Sequence, residues 1–281
     1  MQPRLRPLSN NVRLGISSWT YPWAIGVSGF PPPVRPLRLA DLIERASLLK
    51  VGVLQVADNL PLHKLDAHEL HDARDQAAGL GIKIEIGTRG VEPEHLLSYL
   101  SLAVTFDAVL IRTLTHTVQS QPTLEQAEKW IRAVLPEFEA QGVTLGMENY
   151  EAHSCCDLAA FVRKFDSNHV GICLDTVNSL GTLETPERVV EMLAPLTVNL
   201  HVKDFAIERV PHKMGFVVKG APAGAGRLAI PWLLEHMPRK KNVSAILEQW
   251  PPPQESIEAT IAMEQKWAEQ GLQYLRLCGC T

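Results

Sequence analysis

The chain has 281 residues with 27 basic and 31 acidic side chains, and a formal net charge of −4 gives no electrostatic reason to expect nucleic acid or an anionic membrane as partner. Its 46% hydrophobic content suits a large core, and no apolar run approaches the roughly 18 residues of a membrane span. The segment Met1 to Asn11 carries Pro3, Arg4, Arg6 and Pro7 without an apolar stretch, which argues against a secretory signal. Five cysteines, an odd number with Cys155 and Cys156 adjacent and Cys173 inside an apolar run, predict free thiols and a cytoplasmic setting.

Apolar strand-like runs alternate with helical patterns along the chain, the signature of a parallel sheet with crossover helices. The first strand is predicted from Arg13 to Ser17. An aromatic segment, Trp19 to Trp23, follows it, and its proline argues against helix or inner strand there. Helical spacing covers about 38–50, then a strand at 53–57 ends on Asp58. A polar, His-rich helix at about 66–80 stops at Gly81, and a strand at 82–87 leads to Arg89. A helix at about 93–104, a strand at 108–112 and a helix at about 123–141 follow, with Thr123 as N-cap, Gln126 three residues on and Gly142 as the stop. Strands at 143–149, 169–175, 197–204 and 243–249 are predicted in turn. Helices lie between them at about 154–165, 186–193 and 231–236; the third follows a Gly-rich connection, 205–230, and a last helix spans about 255–277. Eight strands and eight helical segments predict an α/β fold, a single (β/α)₈ TIM barrel over residues 1–281. An open doubly wound sheet is the alternative, but no Gly-x-Gly-x-x-Gly follows the first strand.

In such barrels chemistry collects at the C-terminal strand ends, where the loops converge. Four consecutive strands end on metal-ligand types: Glu148, Asp175, His201 and Glu248. Three carboxylates and an imidazole suit one divalent cation, Mn²⁺, Mg²⁺, Co²⁺ or Zn²⁺. A salt-bridge cluster with Lys203 and Arg112 is the structural alternative. Glu148-Asn149, Cys173-Leu174-Asp175, His201-Val202-Lys203-Asp204, Gly224-Ala225-Gly226-Arg227 and Leu247-Glu248 together resemble the xylose isomerase-like TIM-barrel superfamily of sugar isomerases and epimerases. The resemblance implies one cation on Glu148, Asp175, His201 and Glu248, with Glu148 and Glu248 also exchanging protons as acid and base at the carbon being inverted. One departure is Asn178, near the position where the epimerases usually place a histidine. The superfamily's endonucleases need further His and Asp ligands for three zinc ions, and these strand ends do not supply them.

Trp19, Arg112, His116, Asn149, Asn178, Lys203, Lys219 and Arg227, at or beyond strand ends, form the predicted substrate-binding set for a small carbohydrate. Arg112, Lys203 and Lys219 suit a carboxylate or phosphate, and the glycines of 220–227 lie where barrels often hold phosphate. The expected activity is a metal-dependent sugar or sugar phosphate isomerase or epimerase acting through an enediolate. The alternatives are a lyase, decarboxylating an oxo sugar acid or dehydrating an inosose on the same site, and a non-catalytic sugar-binding barrel. The last helix, with Trp267, Leu272 and Tyr274, either closes the barrel or packs a homodimer or homotetramer.

Overall fold

A computed structural model describes residues 12–238 and 243–281. Eight parallel strands, β1 (Arg13–Ser17), β2 (Val53–Val56), β3 (Lys83–Gly87), β4 (Leu110–Thr113), β5 (Thr144–Glu148), β6 (Val170–Asp175), β7 (Thr197–Val202) and β10 (Ser244–Leu247), close into a barrel. Its order is β1-β10-β7-β6-β5-β4-β3-β2, so each strand lies beside its neighbour in the chain once the hairpin described below is set aside. The expected (β/α)₈ barrel is therefore present. Among the described residues no helix is long and apolar enough to cross a membrane.

The helices form where the residues direct. In α5 (Leu124–Gln141), the Thr123 side chain accepts from the Gln126 N–H, Gly142 takes the left-handed conformation past the end, and Ala127, Ile131, Val134, Leu135 and Phe138 bury one face. Asp66, Ser154 and Thr185 cap α3 (Ala67–Gly79), α6 (Cys155–Arg163) and α7 (Pro186–Leu193) in the same way. α2 (Leu39–Leu48), α4 (Pro93–Thr105), α8 (Ile230–Glu235) and α9 (Ile257–Leu277) complete the outer ring. All five cysteines are free, and all but Cys156 are buried.

Two segments depart from expectation. The aromatic stretch is helical after all: a 3₁₀ turn at Ser18–Thr20 runs into α1 (Pro22–Ile25). Pro22 occupies the first helical turn, where its missing N–H costs nothing. The Gly-rich connection contains an antiparallel ribbon, β8 (Asp204–Arg209) paired with β9 (Phe216–Ala221), projecting from the end of β7.

The glycines beyond that ribbon do not cradle a phosphate. The N–H groups of Gly224 and Gly226 both donate to Asp204 Oδ2 at 2.9 Å, and that of Leu228 donates to Oδ1 at 3.0 Å. Gly224 supplies the positive φ of 86° that the turn needs. The anion this loop holds is the chain's own carboxylate, which ties the ribbon to the barrel rim. Asp204→Ala leaves four backbone donors, the Phe205 N–H among them, without that acceptor, and in urea unfolding it is expected to cost about 2–4 kcal/mol, with Asp204→Asn in between.

Candidate metal centre and substrate cleft

β5 ends at Glu148 and β6 at Asp175, while β7 carries His201, paired in register with Asp175. Glu248 follows β10, its N–H donating to Val202 O. The alternation of a strand turns these four side chains inward at one level. All are buried, none more than 4% exposed. His201 Nδ1 lies 3.4 Å from Glu148 Oε1, 3.8 Å from Asp175 Oδ2 and 3.4 Å from Glu248 Oε2. These gaps are long for hydrogen bonds and suit donor atoms arranged around one ion of about 2.1 Å bond length.

A polar layer beneath fixes the imidazole. Gln55 Nε2 donates to Glu85 Oε2 at 3.2 Å and Asn199 Oδ1 at 3.1 Å, so Gln55 Oε1 is an acceptor. His201 Nε2 sits 2.7 Å from that oxygen and must donate to it. In its neutral form the ring turns the lone pair of Nδ1 toward three carboxylates, and in its protonated form an N–H. Such an arrangement calls for a cation, and the donor set fits a divalent one. Asn199 also donates to Glu85 and Ser244, and Ser244 Oγ donates to Glu85 Oε1 at 2.6 Å. Gln55 on β2 reaches Asn199 on β7 across the barrel, so this stack of buried polar groups forms its axis.

Glu148 Oε2, Asp175 Oδ2, Glu248 Oε2 and His201 Nδ1 are buried without a hydrogen bond of good geometry. Cations nonetheless stand close. Arg112 Nε lies 2.5 Å from Glu148 Oε2, and Lys203 Nζ lies 2.7 Å from Asp175 Oδ2 and 2.9 Å from Glu248 Oε2. The four candidate ligands and the two cations of the salt-bridge alternative thus stand together at one site. Burial would lower the His201 pKa, yet the anions around it, Glu248 and Glu148 among them, hold it well above the usual imidazole value. Burial pushes the Cys173 thiol up to about 11, so it borders the ligands as a neutral group.

Above this centre opens a cleft of about 370 Å³, lined by Trp19, Arg89, Arg112, Asn178, Lys203 and Trp250 among others. Of the predicted substrate-binding residues, Trp19, Arg112, Asn178 and Lys203 line it. Four do not. Asn149 braces the backbone, accepting from Asp175 N and donating to Asp175 O. His116 stacks on His153, Lys219 pairs with Glu208 on the ribbon at 2.7 Å, and Arg227 is exposed. Tyr150, Gln55 and Ser17 lie outside the site read from the sequence, and Asp58 and Arg89 stand among its strand-end charges but not in the predicted substrate-binding set. Asp58 and Arg89 end strands and were legible there as charges; Gln55 and Ser17 were single polar residues in short apolar runs. Ser17 Oγ donates to Glu248 Oε1 at 2.8 Å.

Alternating charges link the cleft rim to the metal-ligand set. Arg89 Nε lies 2.8 Å from Asp58 Oδ2, Arg112 Nη1 lies 3.0 Å from Asp58 Oδ1, and Arg112 Nε continues to Glu148. Burial would raise the Asp58 pKa, but Arg112 and Arg89 hold it down at about 2. A carboxyl titrating lower in the folded chain than in the unfolded one stabilises the fold above its unfolded value of about 3.9, and that contribution disappears as pH falls toward 2. Wild type is therefore expected to lose about 2 kcal/mol more than Asp58→Asn between pH 5 and pH 2, read from urea midpoints across that range.

Comparison with known proteins identifies the family of this fold. The family model described as Xylose isomerase-like TIM barrel matches residues 93–278. The chain is 38% identical over 263 residues to a Pectobacterium atrosepticum protein named 3-oxo-isoapionate decarboxylase, covering 93% of this chain and 94% of that one. Its fold resembles a D-psicose 3-epimerase determined in the presence of D-fructose (TM-score 0.69, 17% identity, 95% and 100% of the two chains). It likewise resembles a Mycobacterium smegmatis xylose isomerase-like barrel in complex with magnesium (TM-score 0.64, 15% identity, 97% and 98%). The inward carboxylates and histidine at the ends of β5, β6, β7 and β10 thus sit on a recognised scaffold, and the chain belongs to the xylose isomerase-like TIM-barrel family.

Proposed function

We propose that the chain is a divalent-metal-dependent lyase that removes carbon dioxide from an oxo sugar acid. The observation that carries this reading is the charge around the cleft. Four carboxylates, Asp58, Glu148, Asp175 and Glu248, meet three fixed cations, Arg89, Arg112 and Lys203. A divalent ion on the ligand set leaves this ion-paired network one positive charge over, with the exposed Glu151 of the cleft wall lying outside it. A neutral ketose makes no use of that excess, whereas an acid is drawn by it. The resemblance to a protein named as a decarboxylase supports the same choice.

Glu148, Asp175, His201 and Glu248 would hold the ion, which when bound supplies a Lewis acid for a substrate ketone oxygen. The chain's own residues do the rest. When the bond to the carboxylate breaks, its electron pair passes toward the ketone, carbon dioxide leaves, and a proton must replace it on carbon. Lys203 lines the cleft beside the ligands and carries such a proton on Nζ. Burial would lower its pKa, but Asp175, Glu248 and Glu148 hold it above the usual lysine value. The ammonium therefore keeps its proton until a base as strong as an enolate forms next to it. Trp19 and Trp250 wall the cleft and limit water around that carbon.

Epimerisation on the same centre needs a glutamate free on each side of the carbon. Asn178 Nδ2 donates to Glu148 Oε1 at 2.8 Å while Arg112 holds the other oxygen, and Glu248 is shared by Ser17 and Lys203. Burial would raise the Glu248 pKa, yet His201, Lys203 and Arg112 hold it below the usual value, which weakens it as a base. The pair is better arranged to hold a cation than to exchange protons with carbon.

Carbon dioxide release from 3-oxo sugar acids is the deciding assay, run beside proton exchange of ketoses in D₂O. Release that stops on chelation and returns with Mn²⁺ or Mg²⁺ is the expected result; inversion of a ketose without release from any oxo acid would sink the lyase. Lys203→Met is expected to lower kcat by about 10²–10⁴-fold with metal content kept. Gln55→Leu, which frees the imidazole to turn, is expected to weaken Mn²⁺ binding by about 10–100-fold in calorimetry.

A further inference from the structure

The lyase reading requires a receptor for the substrate's carboxylate, and three of the cations near the cleft are unsuited to it. Arg112 is buried, with Nε at Glu148 and Nη1 donating to Asp58 and to Thr88 O. Lys203 Nζ is committed to Asp175 and Glu248. Lys219 lies on the ribbon with Glu208 and lines no part of the cleft. Arg89 differs from all three. Its side chain is 36% exposed, it lines the cleft, and Nε is anchored on Asp58 Oδ2.

Resting on that reading for the substrate's orientation, we propose that Arg89 binds the carboxylate that is lost. Asp58 serves two guanidinium groups at once, Arg89 through one oxygen and Arg112 through the other, so Arg89 keeps part of its charge for a further anion. The Arg89 guanidinium also lies 5.2 Å from the centroid of the Tyr150 ring. Anchored at one nitrogen and set against an aromatic face, its plane is fixed before substrate arrives, which lowers the ordering cost of binding. Arginine has five N–H donors, and those not directed at Asp58 or Tyr150 suit a planar carboxylate; a lysine could offer the charge but not the fork. Trp19 Nε1 donates to Asp58 Oδ1 at 3.3 Å and steadies the same carboxylate from the β1 side.

The orientation follows. A substrate whose ketone faces Glu148, Asp175, His201 and Glu248 directs its carboxylate toward the ends of β2 and β3, where Asp58 and Arg89 stand. The bond to be broken then lies over the middle of the cleft, with Lys203 on the side of the metal ligands. The leaving group is held by a residue that takes no part in the ligand set. Binding and chemistry are thereby separated on two halves of the barrel mouth.

The probe is 3,4-dihydroxybutanoate, whose diol stands in for the ketone and its neighbouring hydroxyl, compared with its primary amide. Calorimetry on the Mn²⁺-loaded full chain gives an acid-to-amide affinity ratio that needs no turnover. Wild type is expected to prefer the acid by about 10–100-fold, Arg89→Gln to abolish that preference with under about 3-fold change for the amide, and Arg89→Lys to keep part of it. Circular dichroism establishes that the variants are folded. An unchanged ratio in folded Arg89→Gln, or no preference in wild type, overturns the assignment. The carbon dioxide assay tests the lyase separately: loss of the ratio on substitution without release from any oxo acid keeps Arg89 as the acid receptor and removes the lyase.

Discussion

Three buried carboxylates aimed at one imidazole nitrogen are the constraint on which this structure turns. His201 Nδ1 faces Glu148, Asp175 and Glu248 because Gln55 holds Nε2, and Gln55 is held by Glu85 and Asn199. Like charges at this spacing repel strongly in a medium of low dielectric, and each costs several kcal/mol to bury unpaired. The barrel wall tolerates the cluster because cations surround it: Arg112 on β4, Lys203 just past the end of β7, and a proton or a metal ion at its centre. A site built this way favours positive charge, and the orientation of its imidazole is set by the hydrogen bonds beneath it.

The polar axis under the site explains that orientation. Glu85, Gln55, Asn199 and Ser244 fill the barrel where apolar side chains would ordinarily interdigitate. Such a network is costly unless every member finds a partner, and here amide and hydroxyl groups saturate one another. Burial raises the Glu85 pKa against the pull of its hydrogen-bond donors. An apolar filling would leave the His201 ring free to turn about its bond. The polar filling exchanges some burial energy for one imidazole orientation.

The sequence made the strand termini legible and hid what lies between them. Glu148, Asp175, His201 and Glu248 each follow an uninterrupted apolar run, so their placement could be read from the period of the strands. Gln55 and Asn199 also sit in such runs, but a single polar residue in a four- to six-residue strand reads as noise unless its partner is known, and those partners are 144 positions apart. The ribbon of β8 and β9 was lost for another reason: the glycines beside it read as loop, and the alternation Phe205, Ile207, Arg209 was absorbed into that loop. The Asp204 nest leaves no side-chain signal at all, because its donors are backbone N–H groups.

The division of the barrel mouth has a consequence for what sets the substrate. The metal-ligand types all lie within 93–278, the span matched by the family, on β5, β6, β7 and after β10. Trp19, Asp58 and Arg89 precede that span, on the loops after β1, β2 and β3. A cation-binding centre of this kind can activate a ketone in several reactions, so it does not by itself choose among them. Under the proposed reading the choice rests with groups that decide what stands beside the ketone, and in this chain those would be an aspartate shared by two arginines and an indole that donates to it. Arg112 joins the two halves, touching Glu148 with one nitrogen and Asp58 with another. Charge added at the rim is therefore felt at the ligand set through one rigid guanidinium, which couples recognition of an acid to the electrostatics of the centre that would act on it.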